Sequence, residues 1–262
     1  MKTFGSILRA ALFASLLLVG GCIYTRLLSF KNQLADFDRF VEVREAGGVT
    51  FVFREPILET NDVLAVTGLA PSSIEAVDGE ETWTYAYVNQ VGGSPTGGVA
   101  ASDVSFTMRL RDGKLREMTC PARISAVLGR GFMVAAARSL GKARINQRTY
   151  TLGWDLERDG GYGGPVPTRQ SIAALLGQEW IRIEVETETT LVYVYRLRSM
   201  AVSPGPQSGE VRARFDFGRQ DGILRRAIIS LGKARLILSV PSDGPAGRRE
   251  GASLPLAHGR GT

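Results

Sequence analysis

An internal repeat with an offset of about 109 residues is the feature that most constrains the fold of this chain. Three kinds of landmark keep the offset to within one residue: a short apolar segment ending in glycine, a pair of alternating tyrosines, and an Asp-Gly pair. They are Val63–Gly68 and Ile172–Gly177, Tyr85 with Tyr87 and Tyr193 with Tyr195, and Asp112-Gly113 and Asp221-Gly222. Agreement at one landmark can arise by chance, but agreement at all three is improbable, so the sequence predicts two tandem copies of one unit.

The order of local patterns defines that unit. Val49–Phe53 alternates as a strand does, and cap residues then precede a short helix that ends at Gly68. Three further strands are predicted, the last two joined by Asp112-Gly113 as a hairpin turn; they cover Thr82–Val88, Val104–Leu110 and Lys114–Cys120. The predicted fold class is α+β, with two tandem β-α-β-β-β units whose antiparallel sheets pack on helices, preceded by an amphipathic N-terminal helix.

Composition changes along the chain give the domain boundaries. Beyond residue 240 the chain consists mainly of Pro, Gly, Ser, Ala and Arg without periodicity, which is typical of a disordered tail. The predicted segments are a signal peptide (1–21), an anchor with an amphipathic helix (22–45), repeat 1 (46–122), a linking helix (123–144), repeat 2 (145–240) and the tail (241–262).

The first 21 residues have a secretory pattern, with Lys2 and Arg9 before an apolar run and small residues at the end. The segment Val19-Gly20-Gly21-Cys22 resembles the signal of bacterial lipoproteins. The resemblance implies that Cys22 is diacylated (palmitate), that it becomes the first mature residue, and that its new amino group is then acylated. An ordinary secretory signal with a coincidental cysteine is the alternative. Ile23 and Tyr24 do not include the aspartate that retains many such proteins at the inner membrane, so the family analogy favours the outer membrane, facing the periplasm.

An amphipathic helix follows the anchor. Its apolar residues are spaced three and four apart, at Leu27, Phe30, Leu34, Phe37 and Val41. The helix either lies on the membrane or docks a partner, or it packs on its own domain, and the sequence favours neither interpretation.

Composition and charge exclude several classes of function. Apolar residues are 44% and charged residues 22%, which is globular composition, and the net charge of +6 comes without a basic block that would mark a nucleic-acid arm. A mild positive charge suits an anionic lipid surface or an acidic partner, although solubility alone would explain it. The only histidine, His258, falls in the tail, and Cys120 lies at the end of a predicted strand as a small buried residue. We therefore expect no enzyme, no cofactor, no metal and no nucleic acid.

Five aromatic residues are the candidate binding residues. They alternate along their strands, so Trp83, Tyr85 and Tyr87 share one face of a sheet, as do Tyr193 and Tyr195. On an open face they would form a recognition surface, whereas on a helix-covered face they are core, and packing is the favoured interpretation.

A lipoprotein signal followed by a short helix, a Trp-Tyr strand and a hairpin resembles the small outer-membrane lipoproteins of the BamE (SmpA/OmlA) type. The matching segments are Asp62–Leu64, Gly68–Pro71, Glu81–Tyr85 and Phe106–Leu115. A tandem pair of such units is similar in layout to the β-lactamase inhibitor protein, in which two helix-plus-sheet repeats form a concave protein-binding face. The resemblance implies a non-enzymatic envelope lipoprotein that binds another envelope protein or supports envelope assembly. A lipid- or glycan-binding module with a cleft between the two repeats is the alternative.

We predict that Cys22 carries the acyl chains, because an apolar run, small residues and a cysteine occur in the order that lipoprotein processing needs. Mass spectrometry of the mature N-terminal peptide should find an acylated cysteine, and a Cys22→Ser chain should leave the membrane fraction. A Cys22→Ser chain that still sediments wholly with membranes would contradict the prediction.

Overall fold

The protein is described here by a computed structural model. It covers eight stretches of the chain: residues 23–45, 47–91, 103–146, 148–156, 165–177, 179–198, 209–231 and 234–241. The predicted signal peptide, Cys22, His258 and nearly all of the predicted tail lie outside these residues. Within them the fold is mixed α/β, with six helices and one thirteen-stranded sheet.

The helices are α1 (residues 23–35), α2 (Phe37–Phe40), α3 (Thr60–Thr67), α4 (Ala122–Leu128), α5 (Arg130–Leu140) and α6 (Arg169–Leu176). The strands are β1 (Val41–Glu45), β2 (Gly48–Phe53), β3 (Ser73–Val77), β4 (Glu80–Asn89), β5 (Val104–Arg111), β6 (Lys114–Pro121), β7 (Arg144–Asn146), β8 (Thr151–Asp155), β9 (Ile181–Glu184), β10 (Glu188–Leu197), β11 (Glu210–Gly218), β12 (Leu224–Leu231) and β13 (Ala234–Ser239). None of the helices that the structure describes is long and apolar enough to span a membrane.

All thirteen strands belong to one sheet, in the order β1-β2-β6-β5-β4-β10-β11-β12-β13-β8-β7, with β3 beside β4 and β9 beside β10. The two halves of the sheet meet where β4 and β10 pair antiparallel over three residues at their carboxyl ends, Tyr87–Asn89 with Tyr195–Leu197. Beyond this overlap, β3 continues along β4 on one side and β9 continues along β10 on the other. The sheet is antiparallel except for the parallel pair of β8 and β13.

One face of the sheet packs on the helices and forms the core. Val49, Phe51 and Phe53 of β2 lie on this face, and the side chains that alternate with them lie on the other face. Residues of both halves, including Leu110, Leu191 and Phe217, join the helices in one contiguous buried cluster. Strands such as β5 and β11 alternate apolar and polar residues, so only one of their faces gains from burial, whereas β10 and β12 also carry Val194 and Ile228 on the other face.

The N-terminal helix packs on its own sheet. Leu34, Phe37 and Val41 are buried, and the ring of Phe30 meets that of Phe53 edge-on with centroids 5.2 Å apart. The docking is reinforced by Arg26, whose guanidinium donates to both carboxylate oxygens of the fully buried Asp62 at 2.7 and 2.9 Å. The apolar seam is therefore covered, and the end of the predicted segment 22–45 is the strand β1 rather than helix.

The two Asp-Gly pairs do not form the same turn. Asp112 and Gly113 have φ of 52° and 70° and join β5 to β6 directly, which confirms the predicted two-residue turn. Asp221-Gly222 lies instead in a longer turn, where the amide of Gly218 donates to the carbonyl of Ile223 and four residues separate the two. The prediction of a two-residue turn at Asp221-Gly222 is wrong, because the same dipeptide also suits the end of a longer loop.

Three other predicted details differ from the structure. The strands β1, β3, β7, β9 and β13 were not predicted, so the two halves of the sheet hold six and seven strands where the predicted unit has four. In the second half β13 lies between β12 and β8, whereas in the first half β2 pairs directly with β6. The linking helix is broken into α4 and α5 at Gly129, whose φ of 76° and ψ of 138° are not helical.

We predict that Gly141→Ala destabilises the protein, because a Cβ at position 141 would lie 2.2 Å from the backbone nitrogen of Ala35 in α1. Neither backbone can yield easily, so the free energy of unfolding in urea should fall by about 2 kcal/mol or more. The matched control is Gly153→Ala, since a Cβ there meets no atom within 4 Å, and its change should stay within about 0.5 kcal/mol. Equal losses in the two variants would contradict the close approach of α1 and α5.

Candidate binding face

The five candidate aromatic residues lie in the core. Trp83, Tyr85 and Tyr87 are 3%, 1% and 8% exposed, and Tyr193 and Tyr195 are 0% and 4% exposed. Some of their polar groups form hydrogen bonds inside the protein. For example, Tyr195 Oη donates a hydrogen bond to the carbonyl of Leu176 at 3.3 Å. Packing is thus the interpretation that agrees with the structure, and these five side chains do not form an exposed recognition surface.

Burial changes the acidity of these tyrosines. It raises the pKa of Tyr87 and of Tyr193 to about 12, and it raises the pKa of Tyr195 as well, because an ionised phenolate loses its hydration inside the core. Nearby Glu179 adds a smaller effect of the same sign on the pKa of Tyr193. The tyrosines therefore stay protonated and apolar at neutral pH.

The opposite face of the sheet has no helix over it among the described residues, and we call it the open face. Its side chains alternate with the buried ones along each strand. Its polar and charged side chains include Glu42, Arg44, Thr50, Glu80, Thr82, Arg109, Arg111, Glu117 and Thr119 in the first half. In the second half they include Thr190, Arg196, Glu210, Arg212, Arg214, Asp216, Arg226 and Arg235.

In the first half, charges of opposite sign alternate across four strands. Arg109 of β5 bonds Glu80 of β4 on one side and Glu117 of β6 on the other, the latter at 3.0 Å. Arg44 of β1 extends the row, 3.7 Å from Glu117 and 2.8 Å from Glu42. The hydrogen bond to Arg44 lowers the pKa of Glu42, and the bond to Glu117 raises the pKa of Arg109. Each of these arginines is paired, so this half presents a balanced surface.

Threonines and a shallow depression complete the first half. The hydroxyls of Thr50 and Thr119 lie 2.9 Å apart across β2 and β6. A depression of about 320 Å³ opens between β3, β4 and β5, with Thr82, Arg111 and Glu75 among its walls. Its lining is polar and charged, which suits hydrated contacts better than an apolar ligand.

In the second half, part of the positive charge is unpaired. Arg212 bonds Glu210 at 2.8 Å, and Arg214 bonds the buried carboxylate of Asp216 at 2.8 Å. Asp216 also accepts from the hydroxyl of Thr190 at 2.7 Å, which fixes it under the arginine. By contrast, Arg196, Arg226 and Arg235 are exposed on β10, β12 and β13 and form no ion pair with any residue that the structure describes.

Two observations on the described residues bear on metal binding and on nucleophilic chemistry. They contain no group of three His, Cys, Asp or Glu side chains placed to hold a metal ion. Cys120 is 8% exposed, and burial raises the pKa of its thiol to about 11, so it is poorly suited as a nucleophile. What the open face can do is contact a complementary surface.

The seam between the two halves is closed by protein groups where β4 and β10 pair. The buried amide of Asn89 donates to the carbonyl of Leu176 at 2.9 Å, at the end of α6. Arg123 of α4 bonds the carbonyl of Leu175 and, at 3.1 Å, that of Asp103. The lipid- or glycan-binding alternative, which needs a cleft between repeats, stays a prediction that no observation on these residues favours.

Sequence reasoning missed the arginines of the open face. A signal was available, because Glu210, Arg212 and Arg214 alternate with Val211, Ala213 and Phe215. This period of two identifies a strand with one charged face. It does not tell which arginines have partners, since the partners lie on other strands.

Comparisons with known proteins add no relative. No family model matches the chain, and no curated protein and no solved structure matches it. The resemblance to lipoproteins of the BamE type and to the β-lactamase inhibitor protein therefore stays a prediction that rests on the residues quoted above.

We predict that Tyr193 ionises only when the protein unfolds. An unfolded tyrosine has a pKa near about 10, whereas in the folded state the pKa of Tyr193 is about 12, so its contribution to stability is complete below about pH 10 and is lost as the pH rises towards 12. At about pH 11, Tyr193→Phe should leave the tyrosinate absorbance of the folded chain unchanged. In guanidinium the same variant should lose one seventh of the absorbance, since the chain has seven tyrosines. A loss in the folded state would contradict the burial of this residue.

Proposed function

We propose that this chain is a non-enzymatic envelope lipoprotein, anchored through Cys22, that binds an acidic surface of another envelope protein with its open face. The observation that carries the proposal is a set of three exposed arginines that form no ion pair with any residue in the described part of the chain: Arg196, Arg226 and Arg235. Exposed arginines on a sheet attract a negative surface and accelerate its approach, and they form bidentate contacts with carboxylates.

The contrast between the two halves supports the same conclusion. In the first half each arginine of the row already bonds a glutamate, so a partner would have to displace an existing pair there. In the second half the three arginines can pair with carboxylates of a partner without that loss. The binding surface is therefore centred on β10, β12 and β13.

We further propose that the chain is two tandem copies of one unit, joined by α4 and α5. Equivalent backbone hydrogen bonds at the offset of 109 residues support it. The amides of Thr60 and Arg169 donate to the carbonyls of Gly113 and Gly222, at 2.9 and 2.7 Å. The amides of Leu115 and Leu224 donate to the carbonyls of Leu58 and Pro167, at 2.8 and 3.0 Å.

The predicted anchor bears on how such a face would work. Acyl chains at Cys22 would confine the protein to the surface of a membrane, which raises its effective concentration near other membrane-bound proteins. A weak, electrostatic contact would then suffice for binding. The proposed location is the outer membrane, facing the periplasm. Neither Ile23 nor Tyr24 is the aspartate that retains many bacterial lipoproteins at the inner membrane.

We predict that reversing the charge of the three free arginines lowers partner capture. A chain with Arg196→Glu, Arg226→Glu and Arg235→Glu should recover about tenfold less partner from crosslinked envelopes. The matched control reverses three cations on the helix-covered side (Lys31→Glu, Arg39→Glu and Arg130→Glu), which changes the net charge equally and should leave capture unchanged. Both chains should unfold close to the temperature of the parent, because all six side chains are at least partly exposed and surface ion pairs such as Arg130 with Glu45, at 2.8 Å, contribute little to stability.

Two results would contradict the proposal. Equal losses in both variants would mean that only the net charge matters. Unchanged capture in the first variant, together with weaker binding to vesicles of anionic lipid, would identify lipid headgroups as the ligand of these arginines.

A further inference from the structure

The strand β9 is an exposed edge of the sheet. It pairs with β10 on one side and has no strand on its other side within the described residues. All four of its residues are exposed. Ile181 and Ile183 in the strand are 45% and 49% exposed, and the residues on either side of it, Trp180 and Val185, are 55% and 52% exposed. Natural proteins usually protect such an edge, because its free backbone groups can pair with another strand.

The orientation of the backbone shows which groups are free. The amide of Val185 donates to the carbonyl of Glu188 at 2.9 Å, so residue 185 faces β10. Since inward and outward groups alternate along an antiparallel strand, Ile183 also faces β10, and the amides and carbonyls of Arg182 and Glu184 point to the free edge. The alternation ends before Trp180, whose amide donates to the carbonyl of Val192 at 2.7 Å. A strand added at this edge would bond to these two residues.

The sequence of β9 is complementary to itself in one antiparallel register. If two copies pair with Ile183 opposite Ile183, then Arg182 of each lies opposite Glu184 of the other, and Ile181 lies opposite Val185. This register also pairs the outward-facing residues with each other, as the free backbone groups require. The neighbouring registers that satisfy the backbone place Arg182 opposite Arg182 or Glu184 opposite Glu184, which is unfavourable. The second of these would also bring Arg182 opposite Glu186, but Glu186 lies beyond the end of β9, in the bend before β10.

We propose that two copies of this chain pair through β9 as a symmetric antiparallel dimer, which joins their sheets into one. The dimer leaves the open face of each copy available, so it is independent of the partner proposed above. The intramolecular ion pair of Arg182 with Glu179, at 2.5 Å, does not prevent this, because the side chain of Arg182 remains 52% exposed. A two-fold axis through Ile183 relates the two copies.

Cysteine crosslinking of the full chain in detergent tests the register. In the proposed dimer, thiols introduced by Ile183→Cys lie about 5 Å apart at Cβ, within reach of a disulfide. Thiols introduced by Ile181→Cys, at an equally exposed position, lie four residues apart along the strands, about 14 Å. Mild oxidation should give about tenfold more disulfide-linked dimer with Ile183→Cys than with Ile181→Cys. Equal yields, or no dimer with either variant above the parent chain, would overturn the proposal.

Charge reversal provides a second test that a misfolded variant cannot imitate. Arg182→Glu and Glu184→Arg should each weaken dimerisation about tenfold in sedimentation, because each places like charges opposite one another twice. The double variant should recover the affinity of the parent to within about threefold, since it restores both opposite-charge pairs. A double variant as weak as the single ones, or a parent chain that stays monomeric at about 100 µM, would overturn pairing between copies and leave the edge to a strand of another protein.

Discussion

The three-residue pairing of β4 with β10 is the contact on which the rest of the architecture depends. It joins two half-sheets whose helices would otherwise cover separate cores, and Asn89 and Arg123 extend it by bonding the carbonyls at the end of α6. Because only the carboxyl ends of the two strands overlap, each strand keeps room for one more neighbour beyond the overlap. β3 and β9 occupy these places, and β9 is left with an unpaired outer edge and apolar side chains in solvent. The exposed edge is thus a consequence of the way in which the halves are joined.

One-sided coverage of the sheet divides the residues between two roles. Every second residue of a strand faces the helices, and these positions hold the aromatic residues and most of the buried aliphatic ones. The intervening positions hold threonines and charged residues and, in the second half, also Val194 and Ile228, which are buried. The charged side chains of this face can match the charge of a partner. The N-terminal helix adds to the covered side, since Arg26 holds the buried Asp62 of α3 and Leu34 and Phe37 enter the core.

The two halves of the open face differ mainly in whether their charged residues form ion pairs. Exposed ion pairs contribute little to stability, so the row from Glu42 to Glu80 is better understood as neutralising the first half than as holding it together. In the second half, the buried Asp216 fixes Arg214, and Arg196, Arg226 and Arg235 form no ion pair with a described residue. This asymmetry between the two halves of the sheet supports an assignment of binding to the second half.

The sequence by itself determined the local structure wherever a strong period or turn signal was present. Val49–Phe53, Thr82–Val88 and the hairpin at Asp112-Gly113 form as predicted, because alternation and the φ preference of Asp-Gly act within a few residues. The strand β9 carries the same alternation, because Ile181, Ile183 and Val185 alternate with charged residues, but it was not predicted, whereas the alternation in β3 is less regular. Only the tertiary structure decided that the tyrosines face inward, that α1 packs on its own sheet, that β13 enters beside β12, and which arginines lack partners. Each of these depends on contacts between residues far apart in the chain, whose free energy is set by which surfaces meet and not by local preference.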